Sequence, residues 1–225
     1  MPASSDHRVA LVTGASRGIG RAVAERLAAD GYALALGYGT DADTAADVLA
    51  AVERSGSGAV TVKADVADPQ AVAALFDAAE EALGGVDVVV HAAARMTVSP
   101  LAGFDLAALE QMLRTNVLGT FTVNQQAARR VRRGGAVVNF SSSVIGRVLP
   151  GYSGYAASKA AVEAMTFVLA HELRGRDITV NAIAPGPTAT DMFLEGKGPD
   201  QVEFFAKASP LERLGTPGDI AAAVA

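Results

Sequence analysis

The sequence predicts a doubly wound α/β domain, one parallel sheet covered by helices on both faces. Three observations carry this. Apolar runs of strand length alternate with segments of helical period six times along the chain. Those runs are apolar throughout rather than alternating with polar residues, as strands buried on both faces must be. No linker, repeat or shift of composition divides the 225 residues, so residues 1–225 are expected to form a single domain.

RVALVT, residues 8–13, is the first strand, and residues 18–29 form a helix with Ile19, Val23 and Leu27 on one face. A strand is expected at 32–36, a helix at 43–54 and a third strand at 59–63. Pro69 suits an early helical position, where a missing N–H is no loss, and opens a third helix ending at 83. VDVVVH, residues 86–91, is the fourth strand. Residues 105–131 read as helix in two pieces, and AVVNF, residues 136–140, as the fifth strand. A long helix at 154–173 and a sixth strand at 178–183 follow. Beyond lie a Pro/Gly-rich stretch, a short helix at 201–208 and another beginning near Pro217. The chain stops in IAAAVA, inside an amphipathic pattern, so the final strand is expected to be missing.

Half the residues are apolar and the formal charge is −5, which weighs against a nucleic-acid or acidic-membrane surface. The cluster Arg129, Arg130, Arg132 and Arg133 has no interleaved aromatics and reads as the solvated C-terminal end of a helix. There are no cysteines, and the three histidines lack zinc-ligand spacing, so disulfides, thiolate catalysis and a metal site are not expected. MPASSDHR has no signal-peptide pattern, and no run of about 18 apolar residues appears. A soluble cytoplasmic protein is expected.

VTGASRGIG, residues 12–20, sits where the first strand hands over to the first helix. Gly14, Gly18 and Gly20 allow a tight turn that brings backbone N–H groups, with Ser16, Arg17 and Ile19, to a phosphate. A turn that merely packs helix on strand is the plainer alternative. The same stretch matches G-x-S-x-G, the nucleophile elbow of hydrolases. Against that, Ser16 follows the very first strand and His171 is the only late histidine. The second strand ends in Tyr38, Gly39 and Thr40, neutral where a carboxylate would bind a ribose diol. Asp41 and Asp43 then read as caps of the next helix. With Arg17 placed to meet a phosphate, NADP is expected over NAD.

Polar residues stand at the other strand ends. Asp65 could accept from an adenine amino group, with Val66 beside it, or could cap the next helix. His91 is followed by Ala92, Ala93 and Ala94, small enough for a nucleoside to lie against the backbone; His91 itself is given no chemistry. Asn116 stands in an apolar helix, where burial demands hydrogen bonds. Tyr155 and Lys159 are four apart on a helix, and hence neighbours. The ammonium should favour the phenolate and lower a pKa that otherwise sits near ~10.

Taken in order, TGASRGIG, Asp65-Val66, Thr115-Asn116, the serines of NFSSS, Tyr155-x-x-x-Lys159 and NAIAPGPTATDMF resemble the short-chain dehydrogenase/reductase family. The likeness runs from Arg8 to the last residue and is strongest to the 3-oxoacyl-[acyl-carrier-protein] reductase-like group. It implies a Rossmann-like fold and a tetrad of Asn116, Ser142, Tyr155 and Lys159, with Ser143 the second choice of serine. It implies that Tyr155 donates a proton, Lys159 lowers its pKa and holds a ribose, and Ser142 bonds the carbonyl oxygen. Asn116 would hold a water, and Thr188, with the Pro185 and Gly186 backbone, would grip a carboxamide. Arg95, Met96, Val144, Tyr152, Pro187, Met192 and Phe193 would face a small-molecule carbonyl or alcohol, under a lid at 188–210. A homo-oligomer, tetramer or else dimer, would pack long helices where Ala127, Ala161 and Ala164 permit close approach. The chain departs from the family in carrying HAAA for N-N-A-G, and it stops before the family's seventh strand, either as a fragment or as a protein that does without it. Rival readings are a dinucleotide-binding module without catalysis and, more distantly, a serine hydrolase using Ser16.

Overall fold

In the computed structural model, which describes residues 7–225, the first apolar run forms a fully buried strand, β1 (Val9–Thr13). Residues 1–6, where the signal-peptide expectation falls, lie outside the described residues. The chain continues through α1 (Gly18–Ala29), β2 (Ala33–Tyr38), α2 (Ala42–Arg54), β3 (Ala59–Lys63), α3 (Pro69–Leu83) and β4 (Val86–His91). Then come α4 (Leu106–Leu113), α5 (Gly119–Arg130), β5 (Val131–Phe140), α6 (Ser153–Glu172) and β6 (Thr179–Ile183). Three short helices follow: α7 (Asp191–Leu194), α8 (Pro199–Lys207) and α9 (Pro217–Val224).

All six strands pair in parallel, in the order β3-β2-β1-β4-β5-β6. The order reverses between β1 and β4, where an open α/β sheet leaves a crevice beyond its carboxyl edge. Alternate residues serve two cores. Leu11, Val89 and Val137 pack with Phe76 of α3, Val123 of α5 and Leu169 of α6. Ala10, Val90 and Phe140 face the opposite way, with Val23 of α1, Val48 of α2 and Ala221 of α9. This two-sided burial is why the strands carry no polar alternation. Asp41, Asp68 and Asp105 cap α2, α3 and α4, and Thr216 with Asp219 makes a capping box on α9.

Several boundaries differ from expectation. β2 runs on to Tyr38 because Gly37 and Tyr38 still pair with β3. The helical region after β4 is divided by a π-type turn, Arg114–Leu118, which carries Asn116. Gly119 follows it, and a Cβ there would stand 2.6 Å from Val66 Cγ2, so Val66 fills that gap. β5 begins five residues earlier than its apolar run, with a register irregularity opposite Val86 and Val88. Arg129 and Arg130 end α5 as expected, but Arg132 and Arg133 lie in this irregular start of β5, where Arg132 pairs with Asp87. Ala127, expected on an exposed packing face, is instead buried in the core. Ala161 is half-buried and Ala164 exposed. No described helix is long and apolar enough to cross a membrane.

One glycine fixes the crevice. Gly14 has φ +65°, and a Cβ on it would lie 2.8 Å from Ala93 backbone atoms. The β1 turn therefore rests directly on the end of β4. Gly14→Ala is expected to lower the unfolding free energy by about 1–3 kcal/mol, from strain and from parting these two segments. Urea unfolding of both proteins measures it, and an unchanged midpoint would remove this contact from the account.

Candidate active site

The carboxyl ends of β1, β4, β5 and β6 border a cleft of about 510 Å³. One end is built by the glycine turn, with Gly14, Ser16, Arg17, Gly18, Ile19 and Gly20 in its wall. Gly39 and Thr40, after β2, close that end, and Ala92, Ala93 and Ala94 line the flank of β4. No side chain caps α1, whose N-cap is Arg17, so its first-turn N–H groups face the cleft without a side-chain acceptor. Gly18, at φ +56°, keeps this turn free of a Cβ that would approach Thr190 at 3.4 Å. This donor set fits a dinucleotide phosphate. Arg17 is exposed and makes no salt bridge among the described residues. Asp41 also lines this end; its carboxylate caps α2 through Thr44, which with the nearby Arg17 holds its pKa down.

The other end gathers the chemistry. Tyr155 and Lys159 project from the first turns of α6, and Lys159 Nζ lies 5.7 Å from the phenol ring centroid. Lys159 is buried and donates to the Phe140 carbonyl at 2.8 Å. The three serines separate cleanly. Ser141 is buried and its hydroxyl donates to Glu163 at 2.7 Å. Ser142 caps the following turn, accepting from Val144 N–H, and lines the cleft with Tyr155, whose pKa it lowers. Ser143 lines the cleft too, its amide held by the Pro185 carbonyl at 3.0 Å. Of the two, Ser142 is the serine that bears on the phenol's pKa.

Electrostatics correct one expectation. Burial pushes the Tyr155 phenol up to about 12, and Ser142 only partly opposes it. Burial likewise brings Lys159 down to about 8. Each group has lost water, and each favours its neutral form, so the lysine does not bring the phenol into the working range. Tyr155 is therefore firmly protonated at neutral pH. His91 is buried, held near 3 by burial and by the Lys159 charge, and its Nδ1 meets Thr13 Oγ1 at 2.8 Å. It is a neutral structural residue beneath the site.

Asn116 does not line the cleft. Its Oδ1 accepts from Arg95 N–H at 2.8 Å, and its Nδ2 donates to Arg95 C=O at 2.8 Å and Ser158 Oγ at 3.0 Å. Both amide hydrogens are used, so the side chain acts as a clamp between the β4 loop and α6 rather than as a donor to water. Tyr38, Asp65 and Val66 also fall outside the cleft lining. Asp65 meets Arg114 at 3.3 Å and accepts from Ala67 N–H in the turn before α3, while the helix cap weighed for it falls to Asp68.

Arg95, Met96, Val144, Tyr152, Pro187, Met192 and Phe193 do line the cleft, as do Pro185, Gly186 and Thr188. Residues 189–214 form an excursion closed at its root by the Thr188–Gly215 bridge, with Ala189 N–H donating to Gly215 C=O at 2.8 Å. Neither α7 nor α8 buries a residue, and Phe193 meets Phe205 edge-to-face at 5.3 Å. Sequence reasoning missed α7 and the cleft residues Asp41, Arg147, Leu149, Asp191 and Phe205. Chain proximity to Thr40 for Asp41, and to the Ser142 and Thr188 motifs for the others, was the signal that could have flagged them. No histidine lines the cleft with Ser16, which leaves a hydrolase without its base.

Comparison with known proteins follows the same lines. A family model described as enoyl-(acyl carrier protein) reductase matches residues 14–225. A Picea abies protein named short-chain type dehydrogenase/reductase is 45% identical, over 97% of this chain and 84% of its own. The NADPH-dependent aldehyde reductase-like protein, chloroplastic, of Arabidopsis thaliana is 39% identical, over 95% of this chain and 84% of its own. A solved short chain dehydrogenase from Burkholderia cenocepacia J2315 in complex with NADP gives a TM-score of 0.90 at 40% identity, covering 96% of this chain and 88% of that one.

The buried ammonium makes a stability prediction. Lys159 has a depressed pKa, so its burial is unfavourable below about 8, and that cost fades as pH rises towards the unfolded value near 10.5. Lys159→Met is expected to raise the urea midpoint at pH 7, by an advantage that narrows between pH 8 and 10. A variant less stable than the parent at pH 7 would refute this.

Proposed function

The chain belongs to the short-chain dehydrogenase/reductase family, and we propose that within it this protein is an NADPH-dependent reductase of ketones or aldehydes, most like those taking 3-oxoacyl thioesters or small ketones. The observation that carries the proposal is a protonated phenol, Tyr155, sharing with Ser142 and a buried ammonium the same cleft as a helix N-terminus that no side chain caps. When bound, a nicotinamide dinucleotide would be the source of the hydride for the carbonyl carbon. As hydride arrives, negative charge grows on the carbonyl oxygen. Ser142 Oγ stabilises that charge as a positioned donor, and Tyr155 Oη delivers the proton. The high phenol pKa keeps that proton in place until an alkoxide, a far stronger base, develops. Lys159 Nζ spends one of its three donors on Phe140 C=O and keeps the others for a ribose hydroxyl. Thr188, buried and bonded to Gly186 C=O, fixes the turn that would hold the carboxamide.

NADPH rather than NADH follows from charge. Arg17 stands exposed in the cleft wall beside neutral Gly39 and Thr40. The Arabidopsis relative is named NADPH-dependent, and the Burkholderia structure holds NADP. The excursion at 189–214 serves as a substrate lid, held at one root and with no buried residue in its helices. A binding module without catalysis is the second reading, motivated by HAAA at the end of β4.

Steady-state assays over a panel of ketones and aldehydes decide between these. NADPH is expected to support turnover with a specificity constant at least about tenfold above NADH, since a lost phosphate contact costs over 1 kcal/mol. Tyr155→Phe is expected to lower kcat by about 10²–10⁴-fold while NADPH still binds by fluorescence. Full turnover by the variant would defeat the mechanism, and binding without turnover in the parent would favour the module.

We also propose a homo-oligomer, tetramer or else dimer, packed through the face of α5 and α6. Phe121, Phe167 and Val168 are 56%, 70% and 57% exposed there. Light scattering is expected to give a dimeric or tetrameric mass, and a monomeric mass at micromolar concentration would reject the proposal.

A further inference from the structure

We propose that the carbonyl end of the cleft selects an anionic substrate, a carbonyl compound whose apolar body carries an acidic group held by Arg95 and Arg147. This rests on the reductase reading and narrows its substrate class.

The chain has a formal charge of −5. Yet its cleft is lined by four cationic side chains, Arg17, Arg95, Arg147 and Lys159, against two carboxylates, Asp41 and Asp191. Arg17 and Asp41 share the glycine-turn end. Lys159 is bonded to Phe140 C=O. Arg95 and Arg147 are left, on the loops after β4 and β5 that frame Tyr155 and Ser142. Among the described residues neither guanidinium makes an ion pair or side-chain hydrogen bond, whereas Arg21, Arg26, Arg114, Arg130, Arg132 and Arg213 each meet a carboxylate.

Their roots are fixed. Arg95 has both its N–H and its C=O bound by the amide of Asn116, each at 2.8 Å. Asn116 is 1% exposed and is tied in turn to Ser158 on α6, the helix bearing Tyr155 and Lys159. A buried clamp thus holds the backbone of a residue whose own side chain has no partner. Arg147 leaves the turn that Ser142 caps, with its amide donating to Val144 C=O at 3.1 Å. The same cleft is lined by apolar or aromatic side chains, among them Met96, Val144, Leu149 and Tyr152. A planar guanidinium matches a carboxylate or phosphate by two parallel hydrogen bonds, and an ionised phenol by one. An apolar body with an acidic end satisfies both halves of this wall. Hydride and proton still go to the carbonyl, so the acidic group is unchanged by the reaction.

The test uses a matched pair, 4-carboxybenzaldehyde and its methyl ester, with NADPH and the full chain. The acid is expected to exceed the ester in kcat/KM by on the order of tenfold at low salt, a preference that shrinks as ionic strength rises. In the double variant Arg95→Gln, Arg147→Gln that ratio is expected to fall to about one. A ratio at or below one in the parent, or one unmoved in the variant, overturns the proposal. So does a variant that raises KM for NADPH instead of for the acid. If neither aldehyde is reduced, calorimetric titration with 4-carboxybenzaldehyde separates the two ideas. Binding lost in the variant upholds the anion site while the reductase reading falls, and absence of binding in the parent sinks both.

Discussion

A primary ammonium buried at the carboxyl edge of a parallel sheet is the constraint on which the surrounding structure depends. Lys159 is 3% exposed and bonds the carbonyl of Phe140. A charge so placed loses most of its hydration and must recover it from fixed dipoles. Its presence also governs its neighbours. His91 is kept neutral chiefly by its own burial, and further because a second cation beside Lys159 would be repelled. Tyr155, buried alongside, stays protonated. The site therefore stores a proton on the phenol rather than a charge, as a donor to a developing alkoxide should.

Much of this was legible in the chain. Glycines at 14, 18 and 20, directly after an apolar run, announce a turn with exposed N–H groups because few other purposes need three glycines there. Tyr155 and Lys159 announce themselves by spacing, since helix geometry alone brings them together. The parallel sheet was equally plain, because strands buried on both faces cannot carry polar alternation. Such signals are local. Each depends on residues within one element or at one junction, where the sequence determines the geometry without help from the rest of the fold.

What escaped the sequence depends on distant partners. The sign of the Tyr155 shift could not be read, because spacing reports an adjacent charge but not how much water both groups lose. Asn116 invited a catalytic role, yet both its amide hydrogens are committed across the fold, to Arg95 and Ser158. Asp65 looked available to a ligand, but Arg114, 49 positions later, reaches it. The extension of β5 over Arg132 and Arg133 is set by Asp87, which takes Arg132 on one side and the Val9 N–H on the other. None of these pairings has a signature in one segment.

The layer beneath Lys159 shows what the site costs the core. Asn116 on α5's leading turn touches Ser158 on α6, and both helices run antiparallel to the strands they follow. Eight residues further along each lie Asn124 and Thr166, and Thr166 takes a hydrogen bond from Asn139 at 3.0 Å. Asn139 is the register partner of His91, which is the partner of Thr13. Buried polar side chains thus stand at positions where Leu or Val stands elsewhere in this core. Four of their buried atoms, His91 Nε2, Asn139 Oδ1 and both amide atoms of Asn124, have no protein partner. Buried polar groups left without a protein partner cost stability, so this layer lowers the stability of the fold beneath the site.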